Sequence, residues 1–360
     1  MLKADMKNFL WVLSMLSLPL SAQQYKIAVI GLVHGHAWGH LPRMAKSDLV
    51  KLAGISERNP DLIEEAKKVA PGVPVYEDYN KMLDEVKPDI VWSFVENNRH
   101  LEIAKACASR KIHVMYEKPL AATYKEALEI QQIAKKYNIK VLTNYQMAWW
   151  GANYTAKAQA DSGALGKVWR LHGVVGHGGP GSEGVTNKAF FAWLTDPVQN
   201  GAGALMDFGC YNALWSLWYM GRPARVYAQV NHLRPERFPK VEDNADLMLS
   251  YPNGVGLFEG SWDLPSGYQD LEVFGLDGKV YMKNGKVTLR KKAQREEQEV
   301  PIEKLPPDRA DPIAYMVSAL RDNKPIEGLT ALDINVDVVE IIEAAKESVK
   351  SGRAVELKAH

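Results

Sequence analysis

Short apolar strands alternate with amphipathic helices from Tyr25 to Thr143, and this alternation limits the possible folds more than any other feature. Strand-like runs cover Tyr25–Gly31, Leu49–Ile55, Val75–Tyr76, Pro88–Val95, Lys111–Glu117 and Ile139–Thr143. Helix-like patterns at Leu41–Ser47, Pro60–Val69, Tyr79–Val86, Leu101–Arg110 and Tyr124–Tyr137 separate them. Strands joined by helical crossovers argue for a doubly wound parallel sheet.

The fifth run ends at Glu117-Lys118-Pro119, and Pro119 cannot continue a ladder. Lys118 then sits at the carboxyl end of a strand, where open α/β sheets bind ligands. A Lys there can hydrogen-bond a ligand hydroxyl, or move a proton if partial burial lowers its pKa. On the tripeptide alone, a solvated Lys-Pro turn is the alternative.

After Trp150 the pattern changes. A helix-like stretch, Ala152–Ser162, precedes β-rich runs at Val168–Val175, Val226–Leu233, Asp246–Tyr251, Gly254–Trp262, Asp270–Phe274, Val280–Met282 and Val287–Lys291. Pro252-Asn253-Gly254 and Asn284-Gly285 are turn signals, the second with hairpin chemistry. No crossover helices separate these late runs, so a C-terminal α+β domain with a mostly antiparallel sheet is expected. Helices over Asp311–Arg321 and Asp333–Ser351 close the chain. The expected domains are residues 23–145 and 146–360, and 360 residues suffice for two.

Residues 1–22 read as a signal peptide. Lys3 and Lys7 precede an apolar run from Phe9 to Leu20, then Ser21-Ala22. The run falls short of the roughly 20 apolar residues a span needs. Cleavage after Ala22 is expected, giving a periplasmic or secreted protein with no membrane contact after processing. The net charge of +1 offers no argument for a nucleic-acid partner. Cys107 and Cys210 are the two cysteines; they make no disulfide framework and read as buried thiols.

The first strand feeds Gly31-Leu32-Val33-His34-Gly35-His36. A G-x-G-x-x-G fingerprint would put Gly at the places of Val33 and His36, so the strict motif fails. Gly35 and Gly39 still permit close backbone approach, and the following helix start can hold a phosphate through its N–H groups. A plain strand–turn–helix is the alternative. Glu57 lies about 20 residues past the turn, where an acid takes the ribose hydroxyls of NAD. Arg58 beside it keeps NADP open. No carboxylate or Cys joins His34, His36 and His40 locally, so no metal is expected.

Several ordered segments carry a family resemblance. They are Asn97–His100, His113–Ala121 with its Glu-Lys-Pro strand end, Ser162–Val168, Trp193 through Asp207-Phe208-Gly209, Gly254–Trp262 and Ser351–Leu357. In these the chain resembles the Gfo/Idh/MocA oxidoreductase family. The resemblance implies a Rossmann domain holding NAD, with NADP not excluded, and a substrate cleft between the two domains. It implies Lys118, Asp207 and Tyr211 as catalytic residues. Cofactor contacts would come from Gly31, His34, Gly35, His36, Glu57, Asn97, His100, Glu117, Lys118 and Asn144. A sugar-like substrate would meet Trp150, His177, Trp193, Asp207 and Tyr211, with His172 and Trp149 close by. Asp207 and Tyr211, four apart, are expected on one helix face, with Tyr211 acidified by Lys118. The chain departs from the pattern at Val33, His36 and Glu96, where the family has Gly, Gly and often Pro.

The expected activity is hydride transfer between NAD(P) and a sugar or polyol hydroxyl. The alternative is an exported glycosidase or lyase that oxidises a sugar carbon transiently, eliminates the aglycone, adds water and regenerates its own NAD. A scaffold that keeps the fold without catalysis is a third reading. A homo-oligomer is expected, because family members often pair through the second sheet.

Overall fold

The computed structural model describes residues 24–358; the leader expected over residues 1–22 lies outside them. The first sheet contains β1 (Tyr25–Ile30), β2 (Val50–Ser56), β3 (Val75–Tyr76), β4 (Ile90–Ser93), β5 (His113–Glu117) and β6 (Val141–Asn144). Its order is β3-β2-β1-β4-β5-β6, and every adjacent pair is parallel. The crossovers are α1 (Ala37–Ala45), α2 (Pro60–Val69), α3 (Tyr79–Val86), α4 (His100–Ala108) and α5 (Tyr124–Tyr137). Local chemistry supports them. Asn59 caps α2 ahead of Pro60, and Thr123 with Glu126 forms a capping box on α5.

The β1 run is apolar on both sides because both sheet faces are covered. Ile27 and Val29 pack towards Leu41, Met44 and Leu62, whereas Ala28 and Ile30 pack towards Met82, Ile103 and Cys107. Cys107 and Cys210 are both buried free thiols, as expected.

The second sheet contains β7 (Val168–Gly176), β8 (Arg225–Asn231), β9 (Asn244–Tyr251), β10 (Gly254–Ser261), β11 (Tyr268–Gly275), β12 (Gly278–Lys283), β13 (Lys286–Lys291), β14 (Gln298–Val300) and β15 (Val355–Glu356). Its order is β14-β13-β12-β11-β7-β10-β9-β8-β15. The β7–β10 pair is parallel and the other neighbours are antiparallel. The helices after β6 are α6 (Gly151–Asp161), α7 (Gly184–Leu194), α8 (Ala204–Asp207), α9 (Gly209–Met220), α10 (Pro312–Arg321) and α11 (Leu332–Ser351).

Two packings have no local signal in the sequence. Ile313 and Met316 of α10 return to the first sheet, among Ile27, Trp92 and Met115. The long α11 serves both halves: Val336 and Val339 face the first sheet, and Val338, Ile341 and Ile342 lie beneath the second. Among the described residues no helix is long and apolar enough to cross a membrane.

Candidate active site

Lys118 follows directly on β5 and is joined to Pro119 by a cis bond. Its Nζ donates to the Asp207 carbonyl at 3.2 Å and forms a short ion pair with Asp207 Oδ1. Both side chains are buried. Asp207 ends α8, Phe208 interrupts the helix, and α9 starts at Gly209. Asp207 and Tyr211 therefore do not share one regular helix, contrary to the spacing argument. After the break the Tyr211 N–H turns to the Phe208 carbonyl, and the Asp207 carbonyl accepts from Lys118 and from Cys210 Sγ. Asp207 Oδ2 accepts from Trp262 Nε1 at 2.8 Å. Nothing in the local sequence of Trp262 signals this role.

Burial opposes the charge on Lys118, but Asp207 outweighs it and the ammonium pKa is raised. Burial likewise opposes the Asp207 charge, and Lys118 outweighs it, so that pKa is lowered. The expected fall in the Lys118 pKa is thus reversed. The expected acidification of Tyr211 is also reversed: burial raises its pKa, and the nearby Lys118 offsets this only in part. Lys118 Nζ lies 5.2 Å from the Tyr211 ring centroid.

A second cluster surrounds Glu117, which is fully buried at the end of β5. Asn144 Nδ2 donates to its Oε1 at 2.8 Å, and His36 Nδ1 donates to its Oε2 at 2.8 Å. His40 Nε2 lies 4.0 Å away. Among the described residues no Lys or Arg pairs with Glu117. Ligand atoms of His34, His36 and Glu117 lie within 4.8 Å of one another. Hydrogen bonds already engage them, because His34 Nδ1 accepts from the His36 backbone N–H and His36 Nδ1 donates to Glu117.

The remaining expected residues divide three ways. His177 and Trp150 line a cleft of ≈ 280 Å³ with Phe208, Tyr268, Gln269 and Asn284. His177 meets the Phe208 ring edge-on at 5.0 Å, and burial lowers its pKa. Trp193 and His34 instead pack at the domain junction. Trp193 Nε1 donates to the Val33 carbonyl, the two rings are 5.4 Å apart, and both residues are buried. Trp193 therefore clamps α7 onto the glycine turn rather than offering a face to a sugar. Asn97 and His100 are also buried structural groups. Asn97 Nδ2 donates to Asn200, and His100 Nδ1 donates to the Leu120 carbonyl. His172 lies near Glu259 and Glu272, both on strands flanking β7, rather than at the cleft.

The residues present fit a dinucleotide. A cavity of ≈ 430 Å³ at the carboxyl ends of β1, β2 and β4 is lined by Gly31, Glu57, Arg58, Tyr79, Glu96 and Arg99. Gly31 has φ +79°, and a Cβ there would stand 2.5 Å from Val95 Cγ1. Glu57 braces the turn, accepting from the Leu32 N–H at 2.7 Å. A further cleft of ≈ 590 Å³ is lined by Gly35, His36, Asn144, Gln146, Trp149 and Trp150. Trp150 borders both this cleft and the His177 cleft.

Residues 25–145 match a model described as "Oxidoreductase family, NAD-binding Rossmann fold", and residues 154–281 match the GFO/IDH/MocA C-terminal domain. Myo-inositol 2-dehydrogenase of Thermotoga maritima is 24% identical over 69% of this chain and 72% of its own length. Levoglucosan dehydrogenase of Pseudarthrobacter phenanthrenivorans is 26% identical over 63% of each. An uncharacterized oxidoreductase of Schizosaccharomyces pombe is matched over 49% of its length, so the chain spans about half to three quarters of the curated relatives named here. Among solved structures, aldose-aldose oxidoreductase from Caulobacter crescentus superposes with a TM-score of 0.79 at 21% identity. That match covers 93% of this chain and 100% of the other. A levoglucosan dehydrogenase in complex with NADH and levoglucosan gives 0.78 at 20% identity, over 93% and 99%. With its NAD-binding Rossmann domain and its matched C-terminal domain, the chain belongs to the Gfo/Idh/MocA family of oxidoreductases.

Proposed function

We propose that the protein oxidises a secondary hydroxyl of a sugar or polyol, using NAD, outside the cytoplasm. The observation that carries this reading is the buried Lys118–Asp207 pair at the carboxyl end of β5, with Lys118 Nζ 5.9 Å from the ring centroid of Phe208, which lines the cleft of Trp150, His177 and Tyr268. Bound NAD supplies the hydride acceptor. Lys118 has three N–H donors, and Asp207 takes two of them. The third is left for the substrate oxygen, which the ammonium polarises. Asp207 keeps Lys118 charged and fixed, and Trp150 and Tyr268 line the cleft that would take a sugar.

The lining of the cavity favours NAD over NADP. Arg99 is paired with Glu96 at 3.1 Å and Glu102 at 2.7 Å, and Arg58 Nε donates to the Glu77 carbonyl. A 2′-phosphate would meet the carboxylates of Glu57, Glu77, Glu96 and Glu102, with Arg99 already paired to two of them and Arg58 tied to the Glu77 carbonyl through Nε. A preference for NAD of about tenfold or more is expected by calorimetry.

Denaturing release of small molecules from purified protein is the first test. Near-stoichiometric NAD(H), or binding of added NAD, supports the reading; binding of neither NAD nor NADP leaves the scaffold reading ahead. Lys118→Ala should then abolish turnover on a polyol the parent oxidises, and a loss of only a few-fold removes Lys118 from its role. No feature of the fold favours the redox-cycling glycosidase. Exchange of substrate C2–H with solvent deuterium during cleavage would bring it back. Export predicts Gln23 as the first residue of the protein recovered from the periplasm. Pairing of two chains through the second sheet, where Met248 and Trp169 are exposed, predicts a dimer in sedimentation.

A further inference from the structure

Oxidising a hydroxyl releases a proton as well as a hydride, and the residues around Lys118 have no obvious place to put the proton. Both carboxylate oxygens of Asp207 are engaged, by Lys118 and by Trp262. Lys118 is held charged and Tyr211 is held neutral by their surroundings. His177 Nδ1 already accepts from the Gly179 N–H at 3.0 Å, so the neutral ring carries its proton on Nε2 and can only donate there.

His36 is arranged differently. Glu117, an ionised carboxylate, can only accept, so His36 Nδ1 must be the donor in their 2.8 Å contact. This places the lone pair of the neutral ring on Nε2. The Gln146 side-chain amide lies 3.4 Å from Nε2, a weak donor to that lone pair. Asn144 in turn fixes the other oxygen of Glu117. The arrangement Asn144–Glu117–His36 has the logic of a base oriented by a carboxylate. Its free nitrogen belongs to a ring that lines the cleft of Gln146, Trp149 and Trp150 and is 26% exposed. The charged and titratable groups facing the ring are Glu117 from β5, His34 from the turn, and His40, Arg43 and Asp311 around the cleft.

We propose that His36 is the proton acceptor of the hydroxyl oxidation, acting directly or through one water, with Glu117 and Asn144 as its positioning residues. This deepens the oxidoreductase reading and rests on it. The O–H bond breaks and its proton passes to His36 Nε2. The C–H bond breaks with its electron pair, which goes as hydride to the bound dinucleotide, and the carbonyl forms. In the reverse direction the imidazolium returns the proton. The glycine-to-histidine departure in the turn then places a base in the cleft lined by Gln146, Trp149 and Trp150.

Diethyl pyrocarbonate acylates an imidazole only through an unprotonated nitrogen, and peptide mapping by mass spectrometry reads each histidine. In the full chain near neutral pH, His36 should react faster than buried His34 and His100. Glu117→Gln should slow it about tenfold. An unreactive His36, or a rate indifferent to Glu117→Gln, overturns the proposal whatever the substrate. His36→Gln, tested on a polyol the parent oxidises, should lower kcat by about 10²–10⁴-fold. Its NAD affinity by calorimetry should stay within about threefold, and added imidazole should restore part of the rate. Rate and NAD affinity falling together, without rescue, would make His36 a cofactor-binding residue and overturn the proposal. A parent chain that binds no NAD refutes the oxidoreductase reading instead, and the acylation result stands apart from it.

Discussion

Trp262 stands to Asp207 as Asp207 stands to Lys118: each fixes the next polar group in a place water does not reach. The indole N–H leaves Asp207 Oδ2 satisfied, so Oδ1 is free to serve Lys118. Trp262→Phe keeps the ring and removes the donor. It should lower kcat about tenfold with little change in KM, in line with the cost of one unmade buried hydrogen bond. That bond also helps hold the Asp207 pKa down, so the acid limb of the pH–rate profile should move to higher pH. An unmoved acid limb would reduce Trp262 to packing. Lys118→Met removes one partner of a buried ion pair and strands the other. The expected loss is about 3–5 kcal/mol by denaturant unfolding, and Lys118→Met with Asp207→Asn should recover part of it. The names of these residues were legible in the chain, Lys118 and Asp207 most of all. Their protonation was not, because a shift depends on whether burial or the partner wins, and each partner is brought in by the fold.

Two short elements decide the geometry. The Gly31 turn needs a positive φ and has no room for a side chain beside Val95. Gly31→Ala should cost about 2 kcal/mol of stability and weaken NAD binding, measured by thermal melting and calorimetry on the same sample. Unchanged binding would detach the turn from the cofactor. The break at Phe208 is the second. The four-residue spacing of Asp207 and Tyr211 reads as one helix, and the actual interruption directs the Asp207 carbonyl to Lys118. Helix α7 is not legible in the sequence because its apolar residues, Phe190, Phe191 and Trp193, lack a clean amphipathic period. They serve two surroundings at once, with Phe191 beside Phe238 of the second domain and Phe190 and Trp193 against His34 of the turn.

Over the whole molecule, buried ionisable groups make stability depend on pH in two windows. Burial lowers the pKa of His100 to about 4 and lowers those of His34 and His40. Between about pH 6.5 and 4 the unfolded chain takes up protons that the folded chain refuses, so stability falls as pH falls. Glu117 and Asp207 have lowered pKa values, and their contribution is present above the ordinary carboxylate range and lost below it. Melting temperature should therefore decline from mild acid onwards, and His100→Asn should flatten the first part of the slope. A melting temperature constant from pH 7 to 5 would contradict this. The alternation of strand and helix, the parallel first sheet, the later antiparallel run and the Glu-Lys-Pro strand end were all readable from the chain, because hydrophobic period and proline chemistry act over a few residues. The return of α10 to the first sheet, the clamp of Trp193 on the Val33 carbonyl and the meeting of His36 with Glu117 were not. Each joins residues tens to hundreds of positions apart, and only the burial of both sheets' faces against shared helices brings them together.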